Sequence, residues 1–180
     1  MNWEFDFLYA LQEIHAPWLD KIMIFITTIG NSAVYNIWII VGIVLLCFKK
    51  TRRAGIQSLI TIGITALIGN LGIKEWVARL RPCDIDTSVQ LLIHRPTSYS
   101  FPSGHSLNSL SAAMAIFLNN KKIGIPAVIL AVLIGLSRLY HFVHFPTDVL
   151  AGFALAILVA ILIHLLFNKI IASFKRKKTK

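Results

Sequence analysis

Charge is scarce in this chain, and negative charge is scarcer still. Of 180 residues only 14% are Asp, Glu, Lys or Arg, and just 8 are acidic. The chain is 56% hydrophobic, with a mean hydropathy of +0.71. That balance excludes an ordinary soluble domain, where about a quarter of residues are charged. Two cysteines, Cys47 and Cys83, form no metal-type pair, and their expected places near opposite membrane faces exclude a disulfide between them. No Asn-x-Ser/Thr acceptor occurs, which argues against a glycosylated surface protein. No basic segment precedes the first apolar run, where Glu4 and Asp6 stand instead, so no secretory leader is expected. Internal repeats and low-complexity segments are also missing, apart from a basic tail at 173–180.

What is present is hydrocarbon interrupted by short basic loops. A net charge of +10 would suggest nucleic acid in a soluble protein. Here the cations cluster between apolar runs and in the tail, which fits membrane orientation and no nucleic-acid partner. The length suits one domain over residues 1–180. Residues 3–15 mix aromatic, aliphatic and acidic positions, the pattern of a helix lying on a membrane. Apolar runs at 18–30, 32–48, 54–73, 104–118, 123–140 and 147–168 approach the length needed to span a bilayer. The fold class expected is therefore all-α: a polytopic membrane bundle of about six transmembrane helices, with five as the fallback, plus the N-terminal interfacial helix. Lys21, Lys49, Lys50, Arg52, Arg53, Lys121, Lys122, Lys169 and the tail place 13 of the 18 Lys and Arg residues on one side. That side is expected to be cytoplasmic, with both termini on it.

The opposite side gathers three clusters. Lys74 and Arg81 are seven residues apart, two turns of a helix that Pro82 would stop. Pro102-Ser103-Gly104-His105 opens the next apolar run: Ser103 suits an N-cap, and Gly104 lets a ligand approach the exposed amides of a helix start. Ser137-Arg138 closes a span, and His144 and Asp148 follow within reach of one another around Pro146. Each cluster has a plain reading alone, as snorkelling anchors, a helix cap or a dipole partner. Arg79 reads as such an anchor and Ser137 as a small packing residue. Yet hydropathy and basic loops bring all three clusters to one face. Three cations, two histidines and a carboxylate are an inventory for holding a phosphate and passing it to a histidine. Too few further carboxylates or histidines lie on this face for a zinc or hard-cation site, so no metal and no cofactor is expected. The long stretch at 82–103, with His94 and Arg95, is a candidate for headgroup contact. His141 is a weaker candidate for the pocket entrance.

The series Lys-x6-Arg-Pro, Pro-Ser-Gly-His, and Ser-Arg-x5-His-x3-Asp over residues 74–148 resembles the signature of the type 2 phosphatidic acid phosphatase superfamily, with every position filled. The resemblance implies that His144 attacks phosphorus and becomes a phosphohistidine, that Asp148 fixes its tautomer, and that His105 serves as acid and then base. It further implies that Lys74, Arg81 and Arg138 hold the phosphoryl oxygens, with the Ser103 hydroxyl and the Gly104 amide. The expected activity is metal-independent hydrolysis of a membrane lipid phosphate or diphosphate, of the undecaprenyl diphosphate, phosphatidylglycerophosphate or phosphatidic acid type. The expected setting is the plasma (inner) membrane, with the site on the extracytoplasmic face. The alternatives are a phosphotransferase using the same residues and, from another class, a lipid or ion transporter. Against transport, the charges gather at one face and not at the midplane.

Overall fold

In the computed structural model of the chain, the structure describes residues 3–30 and 32–178. Among them every regular element is helical: α1 (Trp3–Glu13), α2 (Pro17–Gly30), α3 (Ser32–Cys47), α4 (Arg52–Ala66), a π-helical stretch (Leu67–Ile73), α5 (Lys74–Val77), α6 (Pro82–Ile85), α7 (Gly104–Asn119), α8 (Lys121–Tyr140) and α9 (Pro146–Lys178). Local chemistry sets the boundaries that matter for the site. The Ser103 hydroxyl accepts from the Ser106 amide and caps α7, and the Asn120 side chain accepts from the Lys122 amide and caps α8. Pro146 opens α9, where its missing N–H has no intrahelical partner to lose.

Three helical stretches are long and apolar enough to cross a membrane: Arg52–Ile85, Lys121–Tyr140 and Pro146–Phe174. Polarity is distributed to match. Ile40, Ile43, Ile129, Leu158, Leu162 and Leu165 are exposed on the outside, while Gln57, Ser58, Thr61, Thr65, Ser109 and Ser111 are buried. In water such an apolar exterior would be an aggregation hazard. In lipid it is well solvated, and the polar groups are the ones that need partners inside. Thr65 finds them across a helix boundary, 3.0 Å from Asn108 Oδ1 and 3.1 Å from Ser111 Oγ. Helix α7 sits centrally, packed by α3, α4, α8 and α9. Its Ser106, Ser109, Ala112, Ala113 and Ala115 are small enough to let those neighbours approach. The main apolar core joins Trp38, Ile62, Leu107, Leu110, Ile116 and Ile134. A second cluster at one end joins Leu8 of α1 and Cys83 of α6 to Leu139, Phe142, Val143 and Phe145.

The path departs from expectation in three places. Helix α1 lies at the end of the bundle that carries residues 140–148, because Leu8 packs in that second cluster and Thr147 Oγ1 donates to Glu4 at 2.7 Å. The placement of both chain ends opposite the three clusters therefore fails for residue 4 onward. Helix α2 starts at this same end, where the Tyr140 hydroxyl donates to Asp20 at 2.5 Å, and so Lys21 belongs there too. Helix α3 ends at the far end, where Arg52 Nε donates to Leu46 O at 3.1 Å. The two runs before residue 48 thus lead together from the site end to the far end. Finally, α5 stops at Val77 because Ala78 takes a left-handed φ of 47°. Lys74 and Arg81 do not share a helix face, and Pro82 opens α6 instead of ending a longer helix. The last residues of the basic tail, 179–180, lie outside the described residues.

Candidate active site

Residues 78–103 return from α5 to α7 and fold over the end of the bundle. Below them is a cavity of about 510 Å³ whose lining includes Lys74, Arg81, Gly104, His105, Arg138 and His144, together with loop residues 93–98. Six of the eight residues picked out in the sequence therefore meet at one cavity. The other two stand behind its wall. Asp148 is fully buried beneath His144. Ser103 is also fully buried, its hydroxyl occupied by Ser106 Oγ at 2.8 Å, and it does not line the cavity. His94 and Arg95 do line it, whereas His141 is buried elsewhere.

Two of the cations, Lys74 and Arg81, are held by the loop. Arg81 Nε donates to Ser98 O at 2.7 Å, Nη2 to Tyr99 O and Ser98 Oγ at 3.1 Å, and Nη1 to Val143 O at 2.8 Å. Lys74 Nζ donates to the same Ser98 hydroxyl at 3.2 Å. Arg138 Nη1 donates to Thr27 of α2 at 2.5 Å, while its buried Nε has no partner among the described residues. The three are 8%, 2% and 2% exposed, so each is presented from a mostly desolvated wall. Such donors, fixed before a ligand arrives, are the arrangement that stabilises developing negative charge.

His144 sits in the turn between α8 and α9, where Phe142 takes a positive φ of 57°. Its Nδ1 lies 3.5 Å from Asp148 Oδ2 and 3.3 Å from Ser100 Oγ. The Ser100 hydroxyl donates in turn to Asp148 Oδ2, and the Phe145 amide donates to the same oxygen at 2.8 Å. On the other edge of the ring, Nε2 is 3.0 Å from Arg81 Nη1. A guanidinium only donates, so Nε2 accepts and the ring proton belongs on Nδ1, facing Asp148. Burial first, then the charges of Arg81, Arg138 and Lys74, hold this imidazole well below its ordinary pKa and hence neutral at pH 7. His105, in the first turn of α7, has a buried Nε2 with no hydrogen-bond partner among the described residues. Among the described residues no three His, Cys, Asp or Glu side chains converge as a metal site would require.

Reasoning from sequence missed Ser98, Ser100 and Thr27, which are ordinary loop or helix residues until the chain folds. It also misassigned Arg79. Instead of anchoring at the interface, Arg79 donates from Nη1 to Asp148 Oδ1 and Thr147 Oγ1, each at 2.7 Å, and from Nη2 to Glu4 Oε2 at 2.6 Å.

A helical bundle with an apolar exterior and a cationic cavity around a neutral histidine defines a class of membrane protein suited to anionic phosphate chemistry. Residues 54–172 match the PAP2 superfamily, and the chain belongs to that family. It is 39% identical over 138 residues to the undecaprenyl-diphosphatase of Sulfolobus acidocaldarius, covering 76% of this chain and 65% of that protein, just under two thirds of its length. It is 36% identical over 176 residues to phosphatidylglycerophosphatase B of Bacillus subtilis, covering 91% and 82%. The crystal structure of the transmembrane PAP2-type phosphatidylglycerolphosphate phosphatase from Bacillus subtilis superimposes with a TM-score of 0.75 at 34% identity, over 93% of this chain and 85% of that one. LpxE of Aquifex aeolicus shares the fold, with a TM-score of 0.76 at 23% identity over 91% and 95%.

Proposed function

We propose that this chain is a metal-independent phosphatase that hydrolyses a lipid phosphate or diphosphate through a phosphohistidine intermediate. The observation that carries the reading is His144 itself: a neutral ring with Nδ1 directed at a buried carboxylate and Nε2 facing a cavity walled by three cations. An arriving phosphate competes for Arg81, drawing its Nη1 hydrogen bond onto a phosphoryl oxygen and releasing the Nε2 lone pair. That pair attacks phosphorus while the P–O bond to the lipid breaks, and His105, which takes up a proton once the bound phosphate's negative charge offsets the surrounding cations, gives that proton to the departing oxygen. Asp148 stabilises the positive charge that develops on the His144 ring. Lys74, Arg81 and Arg138 hold the equatorial oxygens, which is the larger part of phosphoryl-transfer catalysis. Water then attacks phosphorus, His105 takes its proton, and the P–N electron pair returns to Nε2. Ser103 contributes by capping α7 and aiming the Gly104 amide at the cavity.

Lipid is the favoured substrate because the cavity lies at the end of an apolar-surfaced bundle, with exposed Trp76, Leu80 and Ile85 nearby to meet acyl or prenyl chains. Relatives that act on prenyl diphosphates and on phosphatidylglycerophosphate support the same class. The far end carries most of the cations, which supports an extracytoplasmic site in the plasma membrane. Phosphate release from undecaprenyl diphosphate and phosphatidylglycerophosphate by purified protein tests the activity. Turnover is expected to persist in EDTA and to vanish in His144→Ala. Metal-dependent turnover, or activity in that variant, would overturn the mechanism. Sidedness is read with His94→Cys, expected to react with an impermeant thiol reagent on intact cells; native Cys83 is fully buried and does not interfere.

A further inference from the structure

Asp148 is fully buried, and among the described residues it has two ion-pair partners, His144 and Arg79. The Arg79 contact is the shorter, at 2.7 Å against 3.5 Å. Arg79 is itself gripped on three sides. Its guanidinium lies over the Phe145 ring at 4.0 Å, and its second arm ends on Glu4. Glu4 Oε1 in turn accepts from the hydroxyl of Thr147 at 2.7 Å and from its amide at 3.3 Å, one residue before Asp148. A helix from the start of the chain, an extended segment after α5 and the first turn of α9 are thus joined at one carboxylate.

We propose that Arg79, held in place by Glu4 of α1, is a positioning residue that fixes the Asp148 carboxylate with Oδ2 toward His144 and Ser100 and offsets its charge. The proposal rests on the reading of His144 as nucleophile and Asp148 as its orienting group. Arg79 does not line the cavity beside His144, so it acts through Asp148 and not on substrate. Its electrostatic part follows from the groups that face His144. Arg81, Arg138 and Lys74 keep a proton off the ring, His105 stands across the cavity, the Ser100 backbone favours the protonated ring, and Asp148 is the carboxylate paired with it among the described residues. Without Arg79, the Asp148 charge acts on the ring undiminished. Without Glu4, Arg79 offsets that charge more strongly. Glu4 can be altered without unseating α1, because Leu8 packs in the second apolar cluster, the Tyr9 hydroxyl donates to Asp86 at 2.7 Å and Gln12 Nε2 donates to Tyr140 O at 3.1 Å.

The test is steady-state kinetics of the purified full chain on one lipid phosphate across pH. Arg79→Gln is expected to lower kcat on the order of 10- to 100-fold, the worth of a hydrogen bond to a charged group, with KM little changed. Its acid limb in kcat/KM moves to higher pH. Glu4→Gln costs less and moves that limb to lower pH, while Arg79→Lys recovers part of the loss. In an Asp148→Asn background Arg79→Gln costs nothing further. An unmoved acid limb, a loss confined to KM, or full additivity with Asp148→Asn overturns the proposal. If Asp148→Asn and His144→Ala both turn over normally, the reading of the site itself has failed.

Discussion

The two ends of the bundle handle charge in opposite ways. All 8 carboxylates of the chain belong to segments at the site end: Glu4, Asp6, Glu13, Asp20, Glu75, Asp84, Asp86 and Asp148. At the far end Lys49, Lys50, Arg52, Arg53, Lys121, Lys122 and Lys169 stand exposed. An exposed cation of this kind stays hydrated, costs little to hold and influences which way the bundle inserts. A buried cation is different. Removing it from water carries a penalty of several kcal/mol unless partners answer it. Arg81 is answered by three carbonyls, the half-buried Arg79 by two carboxylates, and Arg138, among the described residues, by little beyond Thr27. Charge kept in so unfavourable a place marks the end where chemistry is expected.

Removing cations from each end should separate the two designs most sharply. Arg81→Ala or Arg138→Ala is expected to lower kcat by about 10²- to 10³-fold, the usual cost of losing a preorganised donor. Lys121→Ala with Lys122→Ala should leave kcat of the purified protein unchanged. A comparable loss from the lysine pair would erase the distinction.

Packing gives the next contrast, and here the far end is the vulnerable one. A Cβ on Gly124 would sit 2.2 Å from the Phe117 backbone Cα, where α7 turns into α8, whereas one on Gly63 meets nothing within 4 Å. Gly124→Ala should therefore destabilise the bundle by about 1–3 kcal/mol, as overpacking does. Gly63→Ala should be neutral or mildly stabilising, since alanine is the better helix former. Thermal unfolding in detergent distinguishes them, and equal melting temperatures would contradict the packing of that turn.

The smallest effect concerns pH. Burial pushes His141 down from 6.5 to about 4. The folded state refuses a proton that the unfolded chain accepts, so stability is full above pH 6.5 and declines as pH falls toward 4. The slope is at most about 1.4 kcal/mol per pH unit for each such group, and His144 adds in the same direction. His141→Gln should flatten the melting temperature over that window without altering its value near pH 8. A profile unchanged by the substitution would show that His141 contributes nothing to it.

Much of this was legible in the residues. An apolar composition interrupted by basic loops can only be solvated as a helical bundle in lipid, and the spacing of Lys74, Arg81, His105, Arg138, His144 and Asp148 is itself a chemical statement. Less legible was anything that depended on residues 78–103. Helical periodicity put Lys74 and Arg81 on one face, but a left-handed turn at Ala78 separates them, and the loop then reunites them at Ser98. Ser100 looks like any loop serine until it lies between His144 and Asp148. Glu4 and Arg79 are 75 positions apart, and no local pattern links an interfacial helix to the carboxylate under a histidine.

The sequence alone determined the helical class, the membrane setting and the set of groups available for phosphate chemistry, because hydropathy and side-chain type act locally and need no partner to be read. Tertiary structure alone decided how those groups divide their work. Which nitrogen of His144 carries the proton, which cation answers Asp148 and which end of the bundle α1 covers all follow from contacts between segments far apart in the chain. Those contacts form only when burial makes each unpaired polar group costly enough to select one arrangement.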